Sequence, residues 1–239
     1  DSYDTVRNDE LSNSFRNDYY SHRAQIGFKQ VTANYTYDIG VAAVPSSSQS
    51  IDLINSERNI PKRTVFNVAP YLRYRYKMGK QSSLRIDYRG YSSQPSMNQL
   101  QPVEDRSDPL RIVVGNPELK PSFQNRFRAR FNDYDEKTQR AIMAMIDGGF
   151  TTNSIISETT YDSKTGGQRT TYRNVNGVWN AAGMLMYSTP FRNKHWQLNS
   201  FSRISYSNSV GYNNGTRNDA GSFLSLIHIS EPTRLLSIS

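Results

Sequence analysis

Residues Phe66–Arg89 read FNVAPYLRYRYKMGKQSSLRIDYR and alternate on either side of a short polar break. Before the break, Phe66, Val68, Pro70, Leu72, Tyr74, Tyr76 and Met78 share one face. Asn67, Ala69, Tyr71, Arg73, Arg75 and Lys77 share the other. After it, Leu84, Ile86 and Tyr88 alternate with Arg85, Asp87 and Arg89. A period of two is that of a β-strand with unlike faces. The break at Met78–Ser82 reads as a tight turn.

The same period recurs along the chain. Ala33 to Ala43 places Tyr35, Tyr37, Ile39 and Val41 opposite Asn34, Thr36, Asp38 and Gly40. Phe123, Phe127, Ala129 and Phe131 alternate with Gln124, Arg126, Arg128 and Arg130. Trp196, Leu198, Ile204, Tyr206 and Val210 alternate with polar residues, and Gly177–Tyr187 also reads as strand. Arg140–Ile156 reads as strand with either phase. No comparable segment has a helical period. The pattern predicts an all-β chain of about eight strands.

These strands are long, roughly 10–16 residues against about 5–6 in ordinary sheets. A tilted strand crossing a bilayer needs about 9–11. Short turns are expected near Lys29–Thr32, Met78–Ser82, Tyr134–Lys137 and Pro190–Lys194. Long connections are expected at Pro45–Lys62 and Ser93–Pro121, with another turn-rich stretch at Asp162–Gln168. Short turns on one rim and long loops on the other fit a transmembrane antiparallel β-barrel, here a partial one. Apolar faces then meet lipid, and Arg/Asn/Gln/Ser faces line the lumen. Backbone groups in lipid must all be paired, so such strands belong to a closed barrel. A soluble sheet with one wet face accounts for the alternation, but it does not require alternating loop lengths. Tyr19, Tyr20, Trp179, Trp196 and Tyr212 are placed as an interfacial aromatic girdle.

Composition agrees. The chain has 239 residues, no cysteine, 36% hydrophobic residues and a net charge of +8. Its mean hydropathy is −0.72. Absence of cysteine excludes disulfides and thiolate metal sites. No run of about 20 apolar residues is present to form a spanning helix. The first residues, Asp1-Ser2-Tyr3-Asp4, lack the basic-then-apolar order of a signal peptide. No phosphate loop, dinucleotide fingerprint or nucleophile elbow occurs. His22 and His195 are isolated and lack ligand spacing. Asp133-Tyr134-Asp135-Glu136 lacks the glycine and terminal Glu of a calcium loop and reads as a polar hairpin. Asp105 and Asp108 read as loop caps. The expectation is therefore no enzyme, no catalytic residues, no cofactor and no metal.

Arg73, Arg75, Arg85, Arg89, Arg126, Arg128 and Arg130 form a basic stripe on the expected lumen face of three consecutive strands. Like charges so close need acidic neighbours, and Asp87 supplies one. The stripe either guides an anionic substrate or is paired by something seated in the lumen. Basic residues near the outer rim have lipid A phosphates as a further partner. Nucleic-acid binding would put aromatics on the same face as the arginines; here they lie opposite, so no nucleic acid is expected.

Ser93–Ser122 reads SQPSMNQLQPVEDRSDPLRIVVGNPELKPS. Its Pro95, Asn98, Gln99 and Leu100, its Asp108 and Pro109, and its Gly115, Asn116, Pro117, Leu119, Lys120 and Pro121 resemble the TonB-dependent outer-membrane receptors of the Bacteroidetes-type outer-membrane β-barrel branch. Asn174–Trp179, Pro190–Lys194 and Val210–Tyr212 support the likeness, which runs from about Phe15 to Tyr212. The resemblance implies a location in the outer membrane and a 22-stranded barrel around an N-terminal plug. It also implies energised uptake of a scarce nutrient such as a siderophore, glycan or peptide. Implied partners are outer-membrane lipid, the TonB complex acting through a plug, and a SusD-like surface lipoprotein. Neither a plug nor a TonB box occurs in these residues. An outer-membrane adhesin or scaffold, and a soluble glycan-binding β protein, are the alternative functions. Locally, Pro117 and Pro121 remove donors and hold Asn116 and Lys120 extended, while Gly115 is expected to permit a tight turn.

Leu224–Ser239, LSLIHISEPTRLLSIS, departs from the Asn/Ser/Tyr-rich style before it. Leu224–Arg234 matches the translation of a transposase sequencing adapter. The expected division is a barrel segment at 1–223 and an adapter-derived, non-biological tail at 224–239, so His228 enters no site argument.

Overall fold

The computed structural model describes residues 14–54, 56, 59–102, 104–108, 110–191 and 196–230. Pro109, Arg192–His195 and the tail beyond Ser230 lie outside them. The long strands are β1 (Phe15–Ser21), β2 (Ala24–Val31), β3 (Tyr35–Asp52), β4 (Ile60–Lys77), β5 (Ser83–Ser93), β8 (Ser122–Asp135), β9 (Arg140–Thr152), β12 (Val178–Pro190), β13 (Gln197–Asn213) and β14 (Thr216–Ser230). Between them come α1 (Met97–Leu100), β6 (Glu104–Asp108), β7 (Arg111–Val114), β10 (Ser154–Tyr161) and β11 (Gln168–Val175).

The main ladder is antiparallel and runs β3–β4–β5–β8–β9–β12–β13–β14. β1 and β2 both pair with β3, β2 along Thr36–Ala43 and β1 along Ser46–Asp52. They behave as one edge strand interrupted at His22–Arg23, where the His22 amide donates to the Pro45 carbonyl at 3.0 Å. Counted so, the main ladder has nine strands among the described residues against the expected eight, β14 being the extra one, and β6, β7, β10 and β11 lie outside it. Among the described residues, no pairing joins β14 to β1 or β2.

The two-face pattern is clearest from β3 to β8. On the apolar face, Tyr88, Phe127 and Phe150 stack across β5, β8 and β9, with centroids 4.8 and 6.4 Å apart. Trp179 meets Tyr206 at 5.0 Å. Ile146 on this face is 68% exposed and Phe66 also 68%, so the sheet turns its large apolar groups outward. The buried apolar residues are few. This inversion of a soluble protein's layout needs an apolar surrounding.

Two expectations are corrected. Pro45–Lys62 is not a long loop: β3 runs to Asp52 and β4 starts at Ile60. The Ser46–Ser50 tract has no alternation to read, yet it is extended because β1 supplies its hydrogen-bonding partner. Tyr212, at the end of β13, has Arg173 4.1 Å over its ring. Tyr35 and Tyr37 cluster at the other rim, stacked at 6.2 Å, with Tyr76 and Tyr74 beside them on β4. Finally, the polar face is not uniformly Arg/Asn/Gln/Ser. From β9 onward Met143, Met145, Met184 and Met186 stand on it.

Leu224–Ser230 continues β14 in register with β13. Leu224 and Leu226 stand beside Ser205 and Arg203 on the polar face, while Phe223, Ile227 and Ile229 occupy the other. Leu224 and Leu226 join Met143, Met145, Met184 and Met186, the apolar residues already on this face from β9 onward.

Candidate functional site: a loop knot and a charged wall

One rim carries the short turns after β2, β4, β8 and β12, two of which are tied together. Gln81 binds Glu136, and Ser82 binds Asp133. The opposite rim carries Ser93–Pro121 and the β10–β11 hairpin, and here the motif residues converge.

Ser96 caps α1, accepting from the Gln99 amide at 3.3 Å, while Gln99 accepts from the Ser96 amide at 3.0 Å. This capping box sets Leu100 inward, 3% exposed, against Leu119, 1% exposed. Met97, Ile155 and Tyr172 complete this small core. Gly115 is required by contact rather than by a turn. Its φ is not positive, and a Cβ there would stand 2.2 Å from the Gln101 carbonyl oxygen. Pro95 and Gly115 are buried; Asn98, Pro117, Glu118 and Lys120 are exposed.

Two asparagines lace the segments together. The Asn116 amide N–H donates to the Gln99 carbonyl at 2.6 Å, and its side chain donates to the Tyr172 carbonyl at 2.9 Å. The Asn174 side chain accepts from the Lys120 amide at 2.8 Å and donates to the Lys120 and Asn153 carbonyls, both at 2.9 Å. An asparagine side chain is a peptide-like donor and acceptor, so each replaces ladder bonds that this irregular backbone lacks. Arg63 of β4 donates to the Leu119 carbonyl at 2.7 Å, and Gln101 donates to the buried Ser50 hydroxyl at 3.1 Å. The loop is thereby fastened to the sheet. The hairpin bends where Asn153 and Gly177 take φ of 53° and 106°; at Gly177 a side chain would be strained. The bend brings β10 parallel to the end of β13, and β11 parallel to β7. Asp108 accepts from the Leu110 amide at 3.0 Å, as a loop cap. The Lys164 amide and the Thr165 hydroxyl hold the Asp162 carboxyl at the hairpin tip below its ordinary range.

The arginine stripe lies on the wall below this knot. Register places Lys29, Asp38, Arg73, Asp87, Arg128 and Asp147 in one cross-strand row of alternating sign over six strands. Arg73 and Asp38 approach to 3.6 Å. On the short-turn side of this row, Arg75, Arg85 and Arg130 stand side by side. On the other, Arg89 faces Arg126. Asp38 and Asp147 are acidic partners that the stripe's first reading lacked. The short turns between strands fix register and would have revealed Asp38; Asp147 lies in the strand of ambiguous phase. Like charges directly opposite on paired strands are unfavourable. Among the described residues, Arg75, Arg85, Arg89, Arg126, Arg128 and Arg130 have no carboxylate within 4.0 Å. The Arg130 Nε is buried without a hydrogen-bond partner.

The model of the "Outer membrane protein beta-barrel family" matches residues 1–230. No curated protein matches the chain. Among solved structures, the siderophore receptor PirA from Pseudomonas aeruginosa is 11% identical with a TM-score of 0.48, over 95% of this chain and 52% of that one. The siderophore receptor PirA from Acinetobacter baumannii is 8% identical with a TM-score of 0.44, over 81% of this chain and 40% of that one. The chain thus spans about half the length of these structures or less.

Proposed function

The chain belongs to the outer membrane protein beta-barrel family, and we propose that it forms part of the wall of a TonB-dependent receptor in the bacterial outer membrane. Such a receptor takes up a scarce nutrient: a siderophore, glycan or peptide. The apolar face meets lipid. The polar face lines a lumen that holds a separate plug domain, on which TonB acts. Loops of the knotted rim capture ligand at the cell surface, directly or with a SusD-like lipoprotein. The chain works in transport and carries out no catalysis.

The loop knot is the observation that carries this reading over a bare scaffold. Two motif segments, PSMNQL and GNPELKP, are spent on a small buried core and a set of side-chain-to-backbone bonds. They hold a loop of nearly thirty residues in one shape at the rim. Ordered loops on a rigid scaffold are where binding surfaces are built.

The complete gene product tests it. A protein extracted only with detergent, with heat-modifiable gel mobility and uptake lost on deleting its TonB box, is expected. Uptake that survives this deletion, or a gene with no plug, contradicts the receptor and favours an adhesin or scaffold.

We further propose that residues from Leu224 onward are adapter-derived. Support comes from the adapter match over Leu224–Arg234. An independent genomic clone is expected to diverge after Phe223; the same tail in that clone refutes this.

A further inference from the structure

The wall is charge-balanced in one row and unbalanced in its neighbours. The central row alternates in sign and neutralises itself. The row Tyr71–Arg89–Arg126–Gly149–Asn180 has two cations and no acid. Gly149 leaves a gap in it between Arg126 and Asn180. A cavity of about 450 Å³ opens there, lined by Arg89, Arg126, Gly149 and Asn180 together with Arg73, Asp87, Arg128 and Asp147 of the balanced row. The Arg126 guanidinium rests 5.6 Å from the Tyr91 ring centre, which steadies its long side chain. Two guanidinium forks and a neutral amide around an open gap match the donor needs of one oxyanion. In the balanced row Arg73 and Arg128 offset Asp87 and Asp147, so it adds no net attraction and the excess positive charge is confined to Arg89 and Arg126.

We propose that Arg89, Arg126 and Asn180 form an oxyanion-binding site on the lumen face, which takes the phosphate, sulfate or carboxylate group of a small solute on its way through the barrel. This rests on the lumen reading above and names the class of solute. The second basic row, Arg75, Arg85 and Arg130, lies about 13 Å away along the strand, four residues at strand rise. It has no matching gap and serves as the internal control.

The test uses the full-length protein in detergent, titrated calorimetrically with inorganic pyrophosphate and, separately, citrate. Saturable binding is expected. The R89Q/R126Q variant is expected to bind at least about tenfold more weakly, because two charge-assisted bonds are lost. R75Q/R85Q removes the same charge and is expected to bind nearly as wild type does. No saturable binding to wild type, or equal weakening in both double variants, overturns the site; the second result would mean a diffuse field. Heat-modifiable mobility of each variant shows that the barrel is intact. Loss of barrel behaviour in the wild-type protein contradicts the receptor reading itself, whereas failed titration of an intact barrel contradicts only this site.

Discussion

The loop knot and the arginine wall obey opposite rules. In the knot, Asn116, Asn174, Gln99 and Gln101 each find partners, and two leucines are buried. In the wall, neighbouring arginines face one another, and among the described residues six of the seven have no carboxylate within 4.0 Å. Interactions that define shape are concentrated in the first region. Unspent electrostatic potential is stored in the second. Substitutions should therefore harm the knot's stability and spare or improve that of the wall.

Gly115→Leu is the severest break. Its Cβ would overlap the Gln101 carbonyl, and backbone cannot swing away as a side-chain tip can. Failure of the rim to fold is expected, read as protease cleavage within Ser93–Pro121 on intact cells. Next is Leu119→Ala, which empties the core shared with Leu100 and should cost about 2–5 kcal/mol in urea unfolding. Asn174→Ala strands the Lys120 and Asn153 groups it serves. An expected loss of about 1–3 kcal/mol in the same assay sits just below. Arg85→Gln, by contrast, removes a cation flanked by Arg75 and Arg130. It should be neutral or stabilise by about 0.2–1 kcal/mol; a loss comparable to that of Asn174→Ala would erase the distinction between the regions.

The smallest effect is one of pH. The folded state lowers the Asp162 carboxyl through the Lys164 amide and Thr165 hydroxyl. A depressed carboxylate stabilises above its unfolded pKa and loses that contribution as pH falls through the folded one. Hydrogen-exchange protection at the β10–β11 tip, measured against the intrinsic rate at each pH, should therefore fall on acidification, and D162N should flatten the response.

The wall was more legible in the sequence than the knot, for a physical reason. Alternation is local, and the short turns set register, so Arg73, Arg85 and Arg128 are placed by counting. β9 resisted because Ala141–Ile146 is apolar on both faces. The Ser46–Ser50 tract resisted because serine marks neither face. In the knot, Asn116 bonds to a carbonyl 56 residues away, which no local period announces. The family motif flagged the right residues, but the role expected of Gly115 was a turn and the one observed is a close backbone approach.

The claim beneath both regions is that one face of each strand meets lipid and the other water. With any cysteine elsewhere in the full-length protein replaced, single cysteines can be introduced and spin-labelled one at a time along Leu84–Arg89, a stretch that has none of its own, in liposomes. Labels at 84, 86 and 88 are expected to collide with oxygen dissolved in the bilayer, and those at 85, 87 and 89 with a water-soluble nickel chelate. Accessibility that does not alternate, or alternates with the opposite phase, would contradict the account.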